Sequence, residues 1–272
     1  MNPSSEVKFM SVISNMPQSL LLTGDSRVGL STIGKYIADT RGIVPIIILP
    51  ERDEIIDIEK GSISVDSIRR INKEARTKTS VERIIIIDYA ERMTHQAQNA
   101  FLKILEEPNE NLYFILVSNS VSKLLPTVIS RVENLEMKKI TNEQSNSLID
   151  SIGMIDDKKR SQLLFMAEGL PAELILLSND EEYFNKRSDI IRDARELLTG
   201  SLYKKLLIIN KYKDNRQVVL ELLNDCANIL KKSVINNPQI DSINHIDKLL
   251  KTYQRIEANG NIRLCLTQMV MS

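Results

Sequence analysis

Leu20-Leu21-Leu22-Thr23-Gly24-Asp25-Ser26-Arg27-Val28-Gly29-Leu30-Ser31-Thr32 sets an apolar run directly before two spaced glycines and a pair of hydroxyl residues. The spacing is that of a phosphate-binding loop, G-x-x-x-x-G-K-[ST], joining a buried strand to a helix. In such a loop the backbone N–H groups and the helix N-terminus cradle phosphates. The lysine reaches the β- and γ-phosphates, and the hydroxyl helps to hold Mg²⁺. Leu30 stands in the lysine's place. The shape is kept and the charge deleted, which points to an NTPase scaffold that has stopped turning over nucleotide. Gly24, Gly29, Ser31 and Thr32 are the candidate residues of this degenerate site.

Outward from the loop, the first half of the chain reads as α/β. Strand-like apolar runs fall at Leu20–Thr23, Val44–Leu49, Arg83–Asp88, Leu112–Ser118 and Val132–Met137. The middle three are continuous rather than alternating, as strands buried on both faces of a parallel sheet are. Helical spacing predicts helices over 31–41, with Gly42 ending it, over 65–78 (Ile68, Ile71, Ala75), and over 93–107. The last has Thr94 as N-cap and Pro108 as its stop. Its apolar stripe is Ala97, Ala100, Phe101, Ile104 and Leu105. A parallel five-stranded sheet with helices around it follows.

Ile84-Ile85-Ile86-Ile87-Asp88 has the Walker B pattern, an apolar strand whose terminal carboxylate holds Mg²⁺. A strand-end aspartate also serves simply to cap the next turn, so the pattern gains weight from the loop upstream. Hydrolysing relatives of such folds follow the aspartate with a glutamate; here Tyr89 follows, and Glu91 comes after it. A phenol with a pKa of about 10 is a poor base at neutral pH.

The chain has 272 residues, with 36 Lys plus Arg against 36 Asp plus Glu, so its charge balance gives no reason to expect an overall basic nucleic-acid binder. Cys226, Cys265, His95 and His245 fall in no metal-ligand spacing, so neither a zinc site nor a disulfide is expected. No signal peptide and no run near the ~20 residues of a membrane span is visible, and a cytoplasmic protein with no membrane partner is expected.

Asn99-Ala100-Phe101-Leu102-Lys103-Ile104-Leu105-Glu106-Glu107-Pro108, then Phe114 to Asn119, then Leu125-Pro126-Thr127-Val128-Ile129-Ser130-Arg131-Val132 follow in order. This resembles the bacterial clamp-loader AAA+ family, with its N-A-L-L-K-x-L-E-E-P helix, its polar sensor at a strand end and its P-x-x-x-S-R-C segment. Val132 replaces the cysteine. The decayed loop and the Asp88-Tyr89-Ala90-Glu91-Arg92-Met93 form of Walker B resemble the non-hydrolysing stator branch. The resemblance implies that Arg131, after Ser130, is an arginine finger reaching into a neighbour's ATP site, where such fingers contribute about 10³–10⁵ in rate. In isolation Ser130-Arg131 reads better as the start of the last strand with a solvated arginine; the family context turns the reading toward the finger. Asn119 takes the sensor-1 position, and with no lysine in its own pocket it is expected to be structural.

Family members commonly carry a four-cysteine zinc module, which this chain lacks, so residues 41–62 are a shortened, zinc-free version. Glu173 stands where the lid's sensor-2 arginine would align, in Gly169-Leu170-Pro171-Ala172-Glu173. Lysine, catalytic glutamate and sensor arginine are all missing, which argues against hydrolysis. No cofactor is required on this reading. Backbone N–H groups and the helix dipole still allow weak ATP or ADP binding.

From Thr141 the chain reads as helix. The resemblance implies an AAA+ domain over 1–139, a helical lid over 140–200, and an all-α collar-like oligomerisation domain over 201–272. Leu206, Leu207, Leu220, Leu223, Ile229 and Leu230 face either a partner or the domain's own core. The implied partners are motor (gamma/tau-like) and delta-like clamp-loader subunits, with the sliding clamp and primer–template DNA touched weakly or indirectly. The alternatives are an active, motor-like AAA+ ATPase in which Arg27 or Lys35 replaces the missing lysine, and a nucleotide-binding AAA+ protein outside replication.

Overall fold

The structure is a computed structural model that describes residues 1–58, 60–76, 81–107, 110–153, 155–236 and 240–271. Pro108, and the helix end expected beyond Arg76, lie outside the described residues, as does the Ala75 side chain. The chain divides into two compact units, Met1–Asn179 and Asp180–Ser272.

The first unit opens with α1 (Pro3–Ser14), β1 (Ser19–Gly24), α2 (Leu30–Thr40) and β2 (Ile46–Ile48). A small antiparallel ribbon of β3 (Glu51–Arg52) and β4 (Ile55–Ile56) follows, then α3 (Val65–Arg76) and β5 (Arg83–Ile87). α4 (His95–Glu106), β6 (Leu112–Ser118), α5 (Pro126–Ile129) and β7 (Glu133–Met137) complete the α/β part. The five long-range strands form one parallel sheet in the order β2-β5-β6-β1-β7.

Period-2 geometry explains why the central strands read as unbroken apolar runs. Leu21, Ile85, Ile87, Phe114 and Leu116 enter the cluster that also contains Ile68, Ile71, Phe101 and Ile104. Their chain neighbours Leu20, Leu22, Ile84, Ile86, Ile115 and Val117 enter a second cluster with Phe9, Val12, Ile37 and Ala38. The register sets Leu21 opposite Leu116 on one side and Asn134 on the other. Thr94 caps α4 as expected, its hydroxyl accepting from the Ala97 N–H at 3.1 Å. Gly42 (φ +68°) ends α2, a position that favours glycine.

Two features differ from the sequence expectation. The Val44–Leu49 run makes only the three-residue β2, paired on one side to β5, and Val44 is 92% exposed. An edge strand buries less than its apolar composition suggests. α1 was not anticipated: Asn2 caps it through its side chain, and Phe9 and Val12 bury their rings and methyls against the sheet cluster.

Three helices close the first unit: α6 (Asn142–Ile152), α7 (Asp157–Ala167) and α8 (Pro171–Asn179). Thr141 and Gln144 form a capping box at the start of α6. The second unit is α9 (Glu181–Thr199), α10 (Leu202–Tyr212), α11 (Arg216–Asn236), α12 (Ile240–Glu257) and α13 (Ile262–Met271). The sequence places α9 with the lid. Instead its Ile190, Ala194 and Leu197 share a core with Leu222, Cys226, Ile256 and Leu266, so the division falls near 180 rather than at 200. Arg187 of α9 adds a bidentate pair to Asp225, both bonds 3.0 Å. Leu223 lies in this core, with Leu220, Ile229 and Leu230 packed against it, whereas Leu206 and Leu207 are exposed. Burial pushes the Cys226 thiol up to about 12, so it stays an inert SH.

Phe101 is fully buried and meets Phe114 edge-on, centroids 5.2 Å apart. Phe101→Ala is expected to cost about 3–5 kcal/mol by removing the ring that joins α4 to the sheet. Urea unfolding followed by far-UV circular dichroism measures it.

Candidate functional site

The C-terminal ends of parallel strands emerge on one edge of the sheet, and ligand sites of such folds lie there, where the strand order reverses. β1 occupies that position, between β6 and β7. Gly24 at its end has no room for a side chain, because a Cβ would stand 2.5 Å from the Met137 carbonyl oxygen of β7. The loop then turns through Arg27 (φ +67°) and Gly29 (φ +95°) into α2. Gly29 is the N-cap of α2 and supplies no side-chain acceptor, so the first-turn N–H groups are left without that partner. The backbone thus has a phosphate cradle's shape. Leu30 is 4% exposed and belongs to the apolar cluster of Leu22, Val28 and Met137. A lysine ammonium is replaced by core.

Ser31 and Asp88 are neighbours in the structure, with the Ser31 hydroxyl in hydrogen-bonding reach of the Asp88 carboxylate. The Tyr89 N–H donates to the same carboxylate at 3.0 Å. Burial holds the Asp88 pKa above its ordinary value, outweighing Ser31, the Tyr89 N–H and the Lys35 charge, which all act downward. Tyr89 sits at φ +56°, an uncommon conformation for a bulky residue. Its phenol is raised by burial first and by Asp88 next, so at neutral pH it is a neutral donor and no base. Thr32 is exposed on the first turn of α2.

Beside the loop opens a cleft of about 430 Å³, lined by Thr23, Gly24, Asp25, Ser118, Asn119 and Lys139 among others. Asn119, exposed at the end of β6, faces this cleft. Lys139 reaches Asp25 at 3.6 Å and Glu168 at 4.0 Å. Asp88, Ser31 and Arg131 are not among its lining residues.

Arg131 follows α5 at the surface. Its Nη2 donates to Glu106 Oε1 of α4 at 2.8 Å and its Nη1 to the Thr127 carbonyl at 3.1 Å. The Ser130 hydroxyl donates to the same carbonyl at 3.1 Å. The guanidinium is therefore neither buried nor loose; it is 38% exposed and held by its own chain.

The contacts of two residues escape the sequence reading. Gln98 is buried, its amide donating to the Met93 and Lys123 carbonyls at 3.2 and 3.1 Å and accepting from the Leu125 N–H at 2.7 Å. It ties the segment after Asp88 to the one that leads to Arg131. Its signal was legible: 98, 101 and 105 share one helical face, and a glutamine on an apolar stripe needs partners. Arg27 is the other, ion-paired with Glu173 at the start of α8. Both are far apart in sequence, and no local pattern announces a contact of that separation.

A family profile described as "DNA polymerase III, delta subunit" matches residues 48–141. The chain is 29% identical over 182 residues to the Haemophilus influenzae DNA polymerase III subunit delta′, covering 65% of this chain and 55% of that protein. This chain therefore spans little more than half the length of that relative. It is 23% identical over 240 residues to the Bacillus subtilis subunit delta′, covering 77% of this chain and 72% of the other. A crystal structure of a DNA polymerase III gamma subunit-related protein from Thermotoga maritima superposes with a TM-score of 0.54 at 19% identity, over 98% and 97% of the two chains. That likeness speaks for the fold.

Because the folded Asp88 pKa lies above its unfolded value, the native state binds this proton more tightly than the unfolded chain does. Stability therefore falls as pH rises from the ordinary carboxylate range through the raised value. Asp88→Asn, which keeps an acceptor for Ser31 and Tyr89, is expected to raise the melting temperature by a few degrees at pH 7–8. The gain should shrink as pH falls through the raised Asp88 value and vanish below the ordinary carboxylate range, where Asp88 is protonated in both states. Thermal melts of both proteins across pH test this.

Proposed function

We propose that this chain, similar over part of its length to delta-prime subunits of DNA polymerase III, is a clamp-loader-type AAA+ protein that works as a non-hydrolysing stator. Assembled with motor (gamma/tau-like) and delta-like subunits, it helps to load a sliding clamp onto primed DNA while hydrolysis takes place in its neighbours. The observation that carries this reading is the burial of Leu30 in the apolar cluster, at the position where a hydrolysing loop holds its cation. A neutral Tyr89 beside Asp88 and a glutamate at position 173 point the same way. The ion pair of Arg27 with Glu173 weighs against the alternative in which Arg27 takes over from the missing lysine.

Arg131 is the group this subunit contributes to chemistry. Presented at the surface after α5, its guanidinium pairs with the γ-phosphate bound to an adjacent motor subunit and stabilises charge developing in transfer. Ser130 shapes the turn that presents it, through its bond to the Thr127 carbonyl. The nucleotide-loop residues Gly24, Gly29, Ser31, Thr32 and Asp88, with Asn119, serve here to hold the architecture, with at most weak ATP or ADP binding.

Arg131→Ala is expected to leave assembly with motor subunits intact, by size-exclusion chromatography, and to lower the DNA- and clamp-stimulated ATPase of the assembled complex at least about tenfold, well short of the full contribution of such a finger. The purified chain alone should release no phosphate from Mg·ATP above the background of Asp88→Ala. An unchanged ATPase in the Arg131→Ala complex removes the finger role. Turnover by the lone protein that depends on Asp88 removes the stator role.

A further inference from the structure

Arg27 lies inside the phosphate-binding loop, and its Nη1 is ion-paired with the carboxylate of Glu173. The Glu173 side chain is 5% exposed, whereas Arg27 keeps 39%. A buried carboxylate needs a paired charge, since an unpartnered one is expensive to take out of water. Other contacts run between the same two segments. The Ala172 N–H donates to the Arg27 carbonyl at 3.1 Å. Leu170 packs against the apolar cluster that includes Val28 and Leu30. Lys139 bridges Asp25 of the loop and Glu168 of the turn. The turn itself is shaped for this approach: Gly169 (φ +79°) leaves no room for a Cβ, which would stand 2.6 Å from the Ile140 carbonyl oxygen.

The segment from Glu168 to Glu173 is thus fastened to the loop by charge, by backbone hydrogen bonding and by apolar contact. A phosphate entering the loop would need the guanidinium that Glu173 already holds, and would meet a negative carboxylate beside it. Like charges in contact repel, and the burial of Glu173 leaves little solvent on its side to screen the repulsion.

We infer that Glu173 is the specificity-determining residue of the loop. Its carboxylate is the loop's resident anion: it occupies Arg27, turns phosphate away, and clamps the 168–173 turn onto the loop with no nucleotide present. This rests on reading 24–31 as a degenerate nucleotide site, and it is independent of any role for Arg131.

The test uses the full chain, a fluorescent ADP analogue followed by anisotropy, and amide hydrogen exchange over residues 168–179. Wild type should bind the analogue negligibly and exchange slowly in the turn. Glu173→Gln, of the same size without the charge, should tighten analogue binding about tenfold or more by removing the like charge, and should speed exchange in the turn. Arg27→Gln should speed the same exchange without any gain in binding, because the cation is gone. Unchanged exchange in both variants overturns the clamp. Wild-type binding as tight as that of Glu173→Gln overturns the resident anion. Neither result depends on the ATPase of an assembled complex, so the inference and the stator reading fail separately. If Glu173→Gln is poorly folded, the Arg27→Gln exchange result still decides the clamp.

Discussion

Everything at the candidate site depends on the double-sided burial of β1, β5 and β6. Because successive residues of a strand point to opposite faces, each of these strands drives apolar side chains into two separate clusters at once. A strand committed on both faces cannot slip in register without exposing one of its sets. That constraint aligns Gly24, Asp88 and Ser118 at one edge of the sheet, although the sequence separates them widely. The shared position of the loop, Asp88 and the end of β6 is a consequence of a packing problem solved elsewhere.

Charge at that edge has moved rather than disappeared. The lysine position is apolar core, yet the loop still carries a guanidinium at Arg27, and the lid segment still carries a charged side chain at 173. Residue 173 is an acid, and its charge faces the guanidinium of the loop. An attraction that would run through a phosphate runs here directly between two side chains. Asp88 tells a parallel story: with burial raising its pKa, and with only Ser31, a backbone N–H and the more distant Lys35 in support, it is a carboxylate whose surroundings suit a proton or a cation better than solitude.

The strands of the central sheet were legible from continuous apolar runs, and α4 from its stripe and its Thr94 cap, because both signals are local. That the loop at 24–31 and Asp88 lie at the same edge of the sheet was legible from the strands that precede them. β2 was over-read: isoleucines and a valine at an edge look the same in sequence as those at a centre, and only the absence of a second neighbour distinguishes them. α9 was assigned to the wrong neighbours because helical periodicity shows that a face is buried and not against what. Arg27–Glu173 and Arg131–Glu106 were out of reach for the same reason: a salt bridge between segments leaves no periodic trace.

Arg131 is ordered before it meets anything. Held by the Thr127 carbonyl and by Glu106, its long side chain has already given up most of its rotamer freedom during folding. In the proposed finger role an incoming anion would substitute for one exposed carboxylate, a pairing that solvent keeps weak. Little further ordering accompanies that exchange, so it is nearly balanced in entropy and easily reversed. Such a side chain suits repeated engagement and release, a property that a floppy arginine and a deeply buried one would both lack.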